Sequence, residues 1–187
     1  MSLLGDRGYP LVLAKNFTKV GDWSPRPITL VVLHSMEAPE KPSTAENVAA
    51  WFAGPNAPQA SAHYSIDADS VIQCVLEKDV AWHAPGANRN GIGLEMAGYA
   101  GQKPNEWSDL FSMQVIMNTA NITGAICLDY HIPMEYVDEK GLLAKKPGIT
   151  THAAVSRAFK QSTHWDPGPN FPMDLFLNLV RNGAIAT

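Results

Sequence analysis

The sequence predicts an α/β fold in which a single mixed β-sheet is flanked by helices. The 187 residues are enough for one domain with an ordinary buried core. Hydrophobic residues make up 45% and charged residues 17%, which is typical of a compact globular chain. Apolar runs of strand length also alternate unevenly with segments of helical spacing. We therefore expect an N-terminal arm over residues 1–27, packed on one domain that spans residues 28–187.

The first strand and the first helix are marked by local patterns. "ITLVVLHS" (28–35) is a β-branched run, which predicts a buried central strand ending at His34. "STAENVAAWFAG" follows, where Ser43 or Thr44 can cap the start of a helix and Gly54 can end it. The pattern predicts a short amphipathic helix after the strand.

The middle of the chain predicts a hairpin, a strand and a long helix. Two alternating runs separated by "ADS" indicate a β-hairpin over residues 62–76. "GIGLEMAG" (91–98) is a further strand candidate, whose small residues allow neighbouring backbones to come close. From Trp107 to about Tyr130, apolar residues recur at helical spacing, which predicts the longest helix of the domain.

The last third contains an irregular loop between two elements. "ITTHAAVS" (149–156) predicts a short strand that runs into a turn. "MDLFLNLVRNG" predicts a closing helix that ends before Gly183. Between them, "HWDPGPNFP" (164–172) cannot be helical, because its prolines and glycine interrupt regular structure. We expect this loop to hold Asp166 rigidly.

Composition excludes several classes of function. The formal net charge of −4 at pH 7 offers no basic face for nucleic acid or anionic lipid. Cys74 and Cys127 lie in apolar stretches without a CxxC partner, which favours buried free thiols over a disulfide or a thiolate metal site. We find no signal-peptide pattern and no apolar run long enough for a membrane span. We therefore expect a soluble protein made in the cytoplasm.

Three polar residues indicate a metal site, if the fold brings them together. His34 ends a buried strand, where α/β sheets present functional groups. His152 is flanked by small residues, and Asp166 lies in the rigid "DPGP" turn. Two imidazoles and one carboxylate are a ligand set of Zn²⁺ in hydrolytic sites, where a further position stays open for water. Glu37 is an alternative carboxylate, but "MEAPEKPS" is more typical of a mobile loop.

Five motifs in one order carry a resemblance to a known family. They are "VVLHS", "SAHYSID", "AWHAPGANRNGIGLEMAG", "THAAVS" and "HWDPGPNFP", and the resemblance covers residues 28–181. This set resembles the zinc-dependent N-acetylmuramoyl-L-alanine amidases of the type 2 family, which includes phage endolysins and peptidoglycan recognition proteins. The resemblance implies a mixed sheet flanked by helices and one catalytic zinc in a surface groove. It also implies cleavage of the amide between N-acetylmuramic acid and the L-alanine of the stem peptide.

The same resemblance implies a role for individual residues. The zinc ligands would be His34, His152 and Asp166, the last replaced by cysteine in some members. Glu95 matches the glutamate that takes the proton of the attacking water. His164 stands where many members carry lysine, and its imidazole N–H would donate to the developing oxyanion.

Four further residues would contact the substrate. His63 and His83 match positions that line the groove of the family. Trp82 and Trp165 lie beside the predicted site and can stack on sugar rings, although core packing is the usual role of tryptophan.

The leading hypothesis is the catalytic domain of a phage or bacterial lysin. We expect a monomer whose partner is peptidoglycan, with no nucleic-acid or membrane partner, and which reaches the wall after lytic release or by another export route. A non-catalytic recognition module and a zinc peptidase acting within the stem peptide remain alternatives. A metal-free structural protein is a third.

Overall fold

A computed structural model describes residues 3–21 and 24–185. The strands are β1 (Phe17–Thr18), β2 (Leu30–Ser35), β3 (Tyr64–Ile66), β4 (Val71–Gln73), β5 (Val80–Ala81), β6 (Gly91–Met96) and β7 (Gly148–Thr151). The helices are α1 (Thr44–Ala53), α2 (Leu110–Asp129), α3 (Glu139–Leu143), α4 (His152–Phe159) and α5 (Met173–Ile185). Among the described residues, no helix is both long and apolar enough to cross a membrane.

The central sheet is mixed, as predicted. Its strand order is β4-β3-β6-β2-β7, where β4 is antiparallel to β3 and the other pairs are parallel. Strand β2 lies between β6 and β7, with His34 opposite Glu95 and Leu33 opposite Thr151. Because the carboxyl ends of parallel strands meet at one edge, this register brings His34, Glu95 and the start of α4 together.

Both faces of the sheet are covered by helices. Val31 and Leu33 of β2 face a core formed with α2 and α5, whereas Leu30 and Val32 face a second core formed with α3 and α4. This alternation follows from the two-residue period of a strand. It explains why β2 is apolar at successive positions, since a strand buried on both faces needs no polar side. His34 follows the same alternation, so its side chain lies on the face of the sheet that α4 covers.

Most predicted elements are confirmed, and two boundaries were wrong. The hairpin, the strand over 91–96, the first helix and the long helix are present. The predicted turn after β7 is instead α4, because the Thr151 side chain accepts from the Ala154 amide at 3.1 Å and caps a helix that begins at His152. The closing helix does not stop before Gly183 but continues to Ile185.

The N-terminal segment packs closely on the domain. The guanidinium of Arg7 donates to both carboxylate oxygens of Glu77, at 2.5 and 3.1 Å. The Val12 amide donates to the Gln73 carbonyl at 2.9 Å, and β1 pairs with β5. The division into an arm (1–27) and a domain (28–187) stays a prediction, and residues 1, 2, 22, 23, 186 and 187 lie outside the described part. Both cysteines are buried and free, as predicted.

Candidate active site

Most of the predicted site residues line a cleft at the carboxyl edge of the sheet. The cleft has a volume of about 220 Å³. It is lined by the side chains of His34, Glu95, His152, His164 and Asp166, together with Trp51, Trp82 and His83. These side chains come from β2, β6, α1, α4 and the loops around residues 82 and 165, so folding assembles the site from distant parts of the chain.

Three of these residues form a set of potential metal ligands. Ligand atoms of His34, His152 and Asp166 all lie within 4.8 Å of one another, and all three side chains are buried. Nδ1 of His34 is 3.1 Å from Oδ2 of Asp166, and Nδ1 of His152 is 3.2 Å from Oδ1. Zinc binds such atoms at about 2.0–2.2 Å in a tetrahedron, which separates ligand atoms by roughly 3.3–3.6 Å. Both distances to Asp166 are close to that separation, so the three residues can hold one zinc ion.

The protonation states of these groups suit metal binding. Burial lowers the pKa of His34 to about 4, so its imidazole is neutral at pH 7 and one ring nitrogen has a free lone pair. Burial opposes ionisation of Asp166, but hydrogen bonds from His152 and His34 outweigh it and hold the pKa of Asp166 below its ordinary value. A neutral imidazole and an ionised carboxylate are the forms that bind a cation.

The loop that carries Asp166 is held at several points. The Asp166 carbonyl accepts from the Ala153 amide at 3.0 Å, which ties the loop to the first turn of α4. The Gly168 amide donates to the Trp165 carbonyl at 3.1 Å. Gly168 has a φ of +92°, and a Cβ at this position would overlap the Ala100 carbonyl, so glycine is required there. These contacts explain how an irregular loop can position a ligand.

Glu95 lies next to the three ligands but outside the set. Its Oε1 is 3.9 Å from Nδ1 of His34, and 16% of its side chain is exposed. Burial and the nearby carboxylates of Asp166 and Glu37 raise the pKa of Glu95 well above its ordinary value. A carboxyl with a raised pKa binds its proton more tightly than an ordinary carboxyl, which suits a general acid or base.

His164 lies on the open side of the cleft. Its ring stacks on that of His152, with centroids 4.2 Å apart and planes 12° apart. Nδ1 of His164 is 3.5 Å from Oδ1 of Asp166, and 63% of the side chain is exposed. It therefore faces the space that a substrate would occupy, beside the ligand set rather than within it.

The two other predicted histidines lie deeper than expected. His63 is fully buried and does not line the cleft, which does not fit a substrate contact. Its Nδ1 accepts from the Gly93 amide at 3.0 Å, and its Nε2 lies 3.2 Å from the Asp79 carbonyl. His83 reaches the edge of the cleft, but its Nδ1 is 3.0 Å from Nε2 of His34. His83 therefore contacts a predicted metal ligand.

Two residues line the cleft that the sequence interpretation did not place there. Trp51 is 55% exposed and lines the cleft from α1. A signal was available, because the buried face of α1 carries Ala45, Ala49 and Phe52 and leaves Trp51 off that stripe. Glu37, assigned to a mobile loop, lines the cleft and accepts from the Ala100 amide at 2.7 Å.

The predicted tryptophans lie on different surfaces. Trp82 lines the cleft, and its indole Nε1 donates to Oγ1 of Thr18 at 2.9 Å, which fixes the ring. Trp165 is 54% exposed and lines a neighbouring hollow of about 650 Å³. That larger hollow contains none of the three potential ligands, which line the smaller cleft.

Comparisons with known proteins agree with this geometry. Residues 24–169 match the profile of a family described as N-acetylmuramoyl-L-alanine amidase. N-acetylmuramoyl-L-alanine amidase A of Achromobacter lyticus is 30% identical over 165 residues, which covers 82% of this chain and 84% of that protein. The fold is similar to that of the Staphylococcus aureus hydrolase AmiA in complex with its ligand, with a TM-score of 0.66 and 17% identity over 92% of this chain and 84% of that one. A selenomethionine derivative of AmpD gives a TM-score of 0.64 and 21% identity, over 95% of this chain and 99% of that one.

Proposed function

The chain belongs to the N-acetylmuramoyl-L-alanine amidase family and hydrolyses peptidoglycan, and from that premise we propose that it is a zinc enzyme whose ion is held by His34, His152 and Asp166. One observation carries the proposal, namely three buried ligand atoms of suitable chemistry within 4.8 Å of one another. When bound, zinc supplies Lewis acidity, which polarises a carbonyl and makes water nucleophilic near neutral pH.

Glu95 is proposed as the residue that moves the proton. The water oxygen bonds to the lactyl carbonyl carbon, the bond from that carbon to the alanine nitrogen breaks, and the nitrogen must leave protonated. A single carboxyl beside the reacting atoms can take the proton from water and deliver it to that nitrogen. The raised pKa of Glu95 supports this role, because a carboxyl that binds its proton more tightly is a stronger base.

His164 is proposed to stabilise the transition state. Negative charge develops on the carbonyl oxygen as water attacks, and a donor aimed at that oxygen is worth most at that moment. The His164 ring is exposed to the cleft, and its stacking on His152 fixes its plane next to the ligand set. Its position supports a hydrogen bond to the substrate oxygen.

Aromatic side chains are proposed to hold the glycan and the stem peptide. Trp51 and Trp82 both line the cleft, and indole faces stack well on the apolar faces of sugar rings. Trp165 would contact a part of the substrate that extends beyond the cleft into the neighbouring hollow.

The biological setting is proposed from the sequence resemblance. We expect a phage endolysin or a bacterial lysin that acts as a monomer on the cell wall after release by lysis or by another export route. The complete donor set supports catalysis over simple recognition of the muropeptide, because binding alone would not need three converging ligands.

Product analysis tests the proposed function. A muropeptide of known composition is incubated with the purified chain, and the fragments are separated and weighed by mass spectrometry. We expect a free stem peptide with a new N-terminal L-alanine and an intact glycan. A chelator should abolish this product, and added zinc should restore it. Fragments cut within the stem would indicate a peptidase, and full activity after complete zinc removal would refute the zinc assignment.

A further inference from the structure

We propose that His83 is a positioning residue for the zinc centre. His83 accepts a hydrogen bond from Nε2 of His34 and thereby leaves Nδ1 of His34 free to bind the ion. The inference rests on the proposed zinc site at His34, His152 and Asp166. It replaces the prediction that His83 contacts substrate.

The contact between the two imidazoles is direct. Nε2 of His34 lies 3.0 Å from Nδ1 of His83, and the rings meet edge to face, with centroids 5.2 Å apart and planes 85° apart. On its other side, Nδ1 of His34 faces Oδ2 of Asp166 at 3.1 Å. The two nitrogens of His34 therefore have different partners, one in the ligand set and one outside it.

The chemistry of a neutral imidazole then assigns the protons. A neutral ring has one N–H and one nitrogen lone pair, and a metal can bind only the lone pair. If Nδ1 of His34 binds zinc, its proton must be on Nε2. The neighbour of Nε2 is Nδ1 of His83, which must then act as the acceptor. Such a second partner holds a ligating histidine in the correct tautomer and orientation.

The His83 ring is itself held in place. The backbone amides of His83 and Ala84 both donate to Oδ1 of Asn88, at 3.0 and 2.6 Å. The ring packs over β6, where an added Cβ at Gly93 would come within 2.5 Å of its Cγ and one at Gly91 within 3.3 Å of its Cε1. Residues two apart share one face of a strand, so the two glycines together make the space for this ring.

This tautomer leaves one ring nitrogen of His83 without a hydrogen-bond partner, and a role at the metal explains why a histidine is nevertheless present. Its proton must be on Nε2, which is buried and has no hydrogen-bond partner among the residues that the structure describes. Buried polar atoms without partners are uncommon in folded proteins. An apolar side chain would fill the space without this cost. The histidine is accounted for if its Nδ1 is needed as an acceptor for His34.

Three substitutions separate an acceptor role from packing. In His83→Asn, the amide oxygen can take the place of Nδ1, whereas in His83→Gln the amide reaches the place of Nε2. His83→Leu fills the space without an acceptor. We expect the zinc dissociation constant, measured by competition with a chelating indicator, to rise about 10- to 100-fold in the Gln and Leu variants. In the Asn variant it should stay within about threefold of wild type, since the acceptor is retained.

Spectroscopy gives a second measurement that does not depend on activity. In the zinc-loaded wild type, ¹⁵N chemical shifts of labelled histidines should show His34 protonated at Nε2. His83→Asn should keep that signal, and His83→Leu should broaden or shift it. Circular dichroism establishes that each variant is folded.

The possible outcomes distinguish a wrong role for His83 from a wrong zinc site. If wild type binds no zinc, the proposed zinc site itself is wrong. If wild type and His83→Leu bind zinc equally well, the inference is overturned. A rise in the KM of that variant would then show that His83 contacts substrate. If His83→Leu does not fold, the Asn and Gln variants decide, and equal zinc affinity in these two would overturn the acceptor argument.

Discussion

Replacing Glu95 by glutamine tests the assignment of the proton-transferring group. The two side chains have nearly the same shape, so Glu95→Gln removes the base and leaves the packing of β6 intact. Burial and neighbouring carboxylates raise the pKa of Glu95, which means that they make its charged form less favourable than in water, so a neutral amide should fold with little change in stability. Zinc affinity should change by no more than about threefold, because Oε1 of Glu95 lies 3.9 Å from Nδ1 of His34 and outside the ligand set.

The expected effect is on turnover. A positioned general base typically contributes about 10²- to 10⁴-fold, so kcat should fall by that factor, or roughly 3–5 kcal/mol of barrier. KM should change little, since the loss is felt in the transition state. The assay follows release of the stem peptide from a defined muropeptide by mass spectrometry. A kcat within about threefold of wild type, at full zinc occupancy, would refute the role of Glu95. If the loss appears instead in Glu37→Gln, then Glu37, the other carboxylate of the cleft outside the ligand set, is the base.

Two further predictions concern histidines outside the ligand set. His164→Ala should lower kcat about 10- to 100-fold, which is less than the loss of an enclosed oxyanion donor because the His164 side chain is exposed. His164→Lys should keep most of the wild-type kcat, because lysine is also a donor. An equal loss of kcat in both variants would contradict the donor role. Burial, helped by the charge of Arg26, lowers the pKa of His63 well below 6.5, so the unfolded state takes up a proton that the folded state does not as pH falls below about 6.5. As pH falls, the free energy of unfolding of wild type therefore decreases by up to about 1.4 kcal/mol per pH unit because of this group. The difference in stability between wild type and the less stable His63→Gln variant should become smaller when the pH is lowered from 8 to 5. Urea unfolding at several pH values measures the deficit, and a constant deficit would show that His63 does not titrate in this way.

The sequence predicted the sheet because its signals are local and strong, and it made His34, His152 and Asp166 candidate ligands. A β-branched run ending in His34 indicates a buried strand with a functional group at its end. Pro and Gly around Asp166 indicate a rigid loop. Only the fold brings His34 and His152 together, and before the structure this expectation came from the resemblance of the five motifs to a known family.

Sequence patterns could not resolve features that tertiary packing decides. His63 and His83 occur in comparable short motifs, and their roles differ because His63 lies beneath the amide of Gly93 while His83 contacts His34. No local periodicity carries that distinction. The start of α4 was missed because the β-branched pattern indicates that Thr151 ends a strand. Its hydroxyl also caps the helix that follows. Strands of two residues and a helix of five are too short for periodicity to detect.

X-ray absorption at the zinc edge of the purified, zinc-loaded chain tests the account most directly. The spectrum reports the number of imidazole ligands and their distances from the metal. We predict one zinc per chain, with two imidazole nitrogens and oxygen ligands at about 2.0–2.2 Å. A third imidazole, supplied by His164 or His83, would close the position needed for water and contradict the proposed mechanism, as would a chain that binds no zinc.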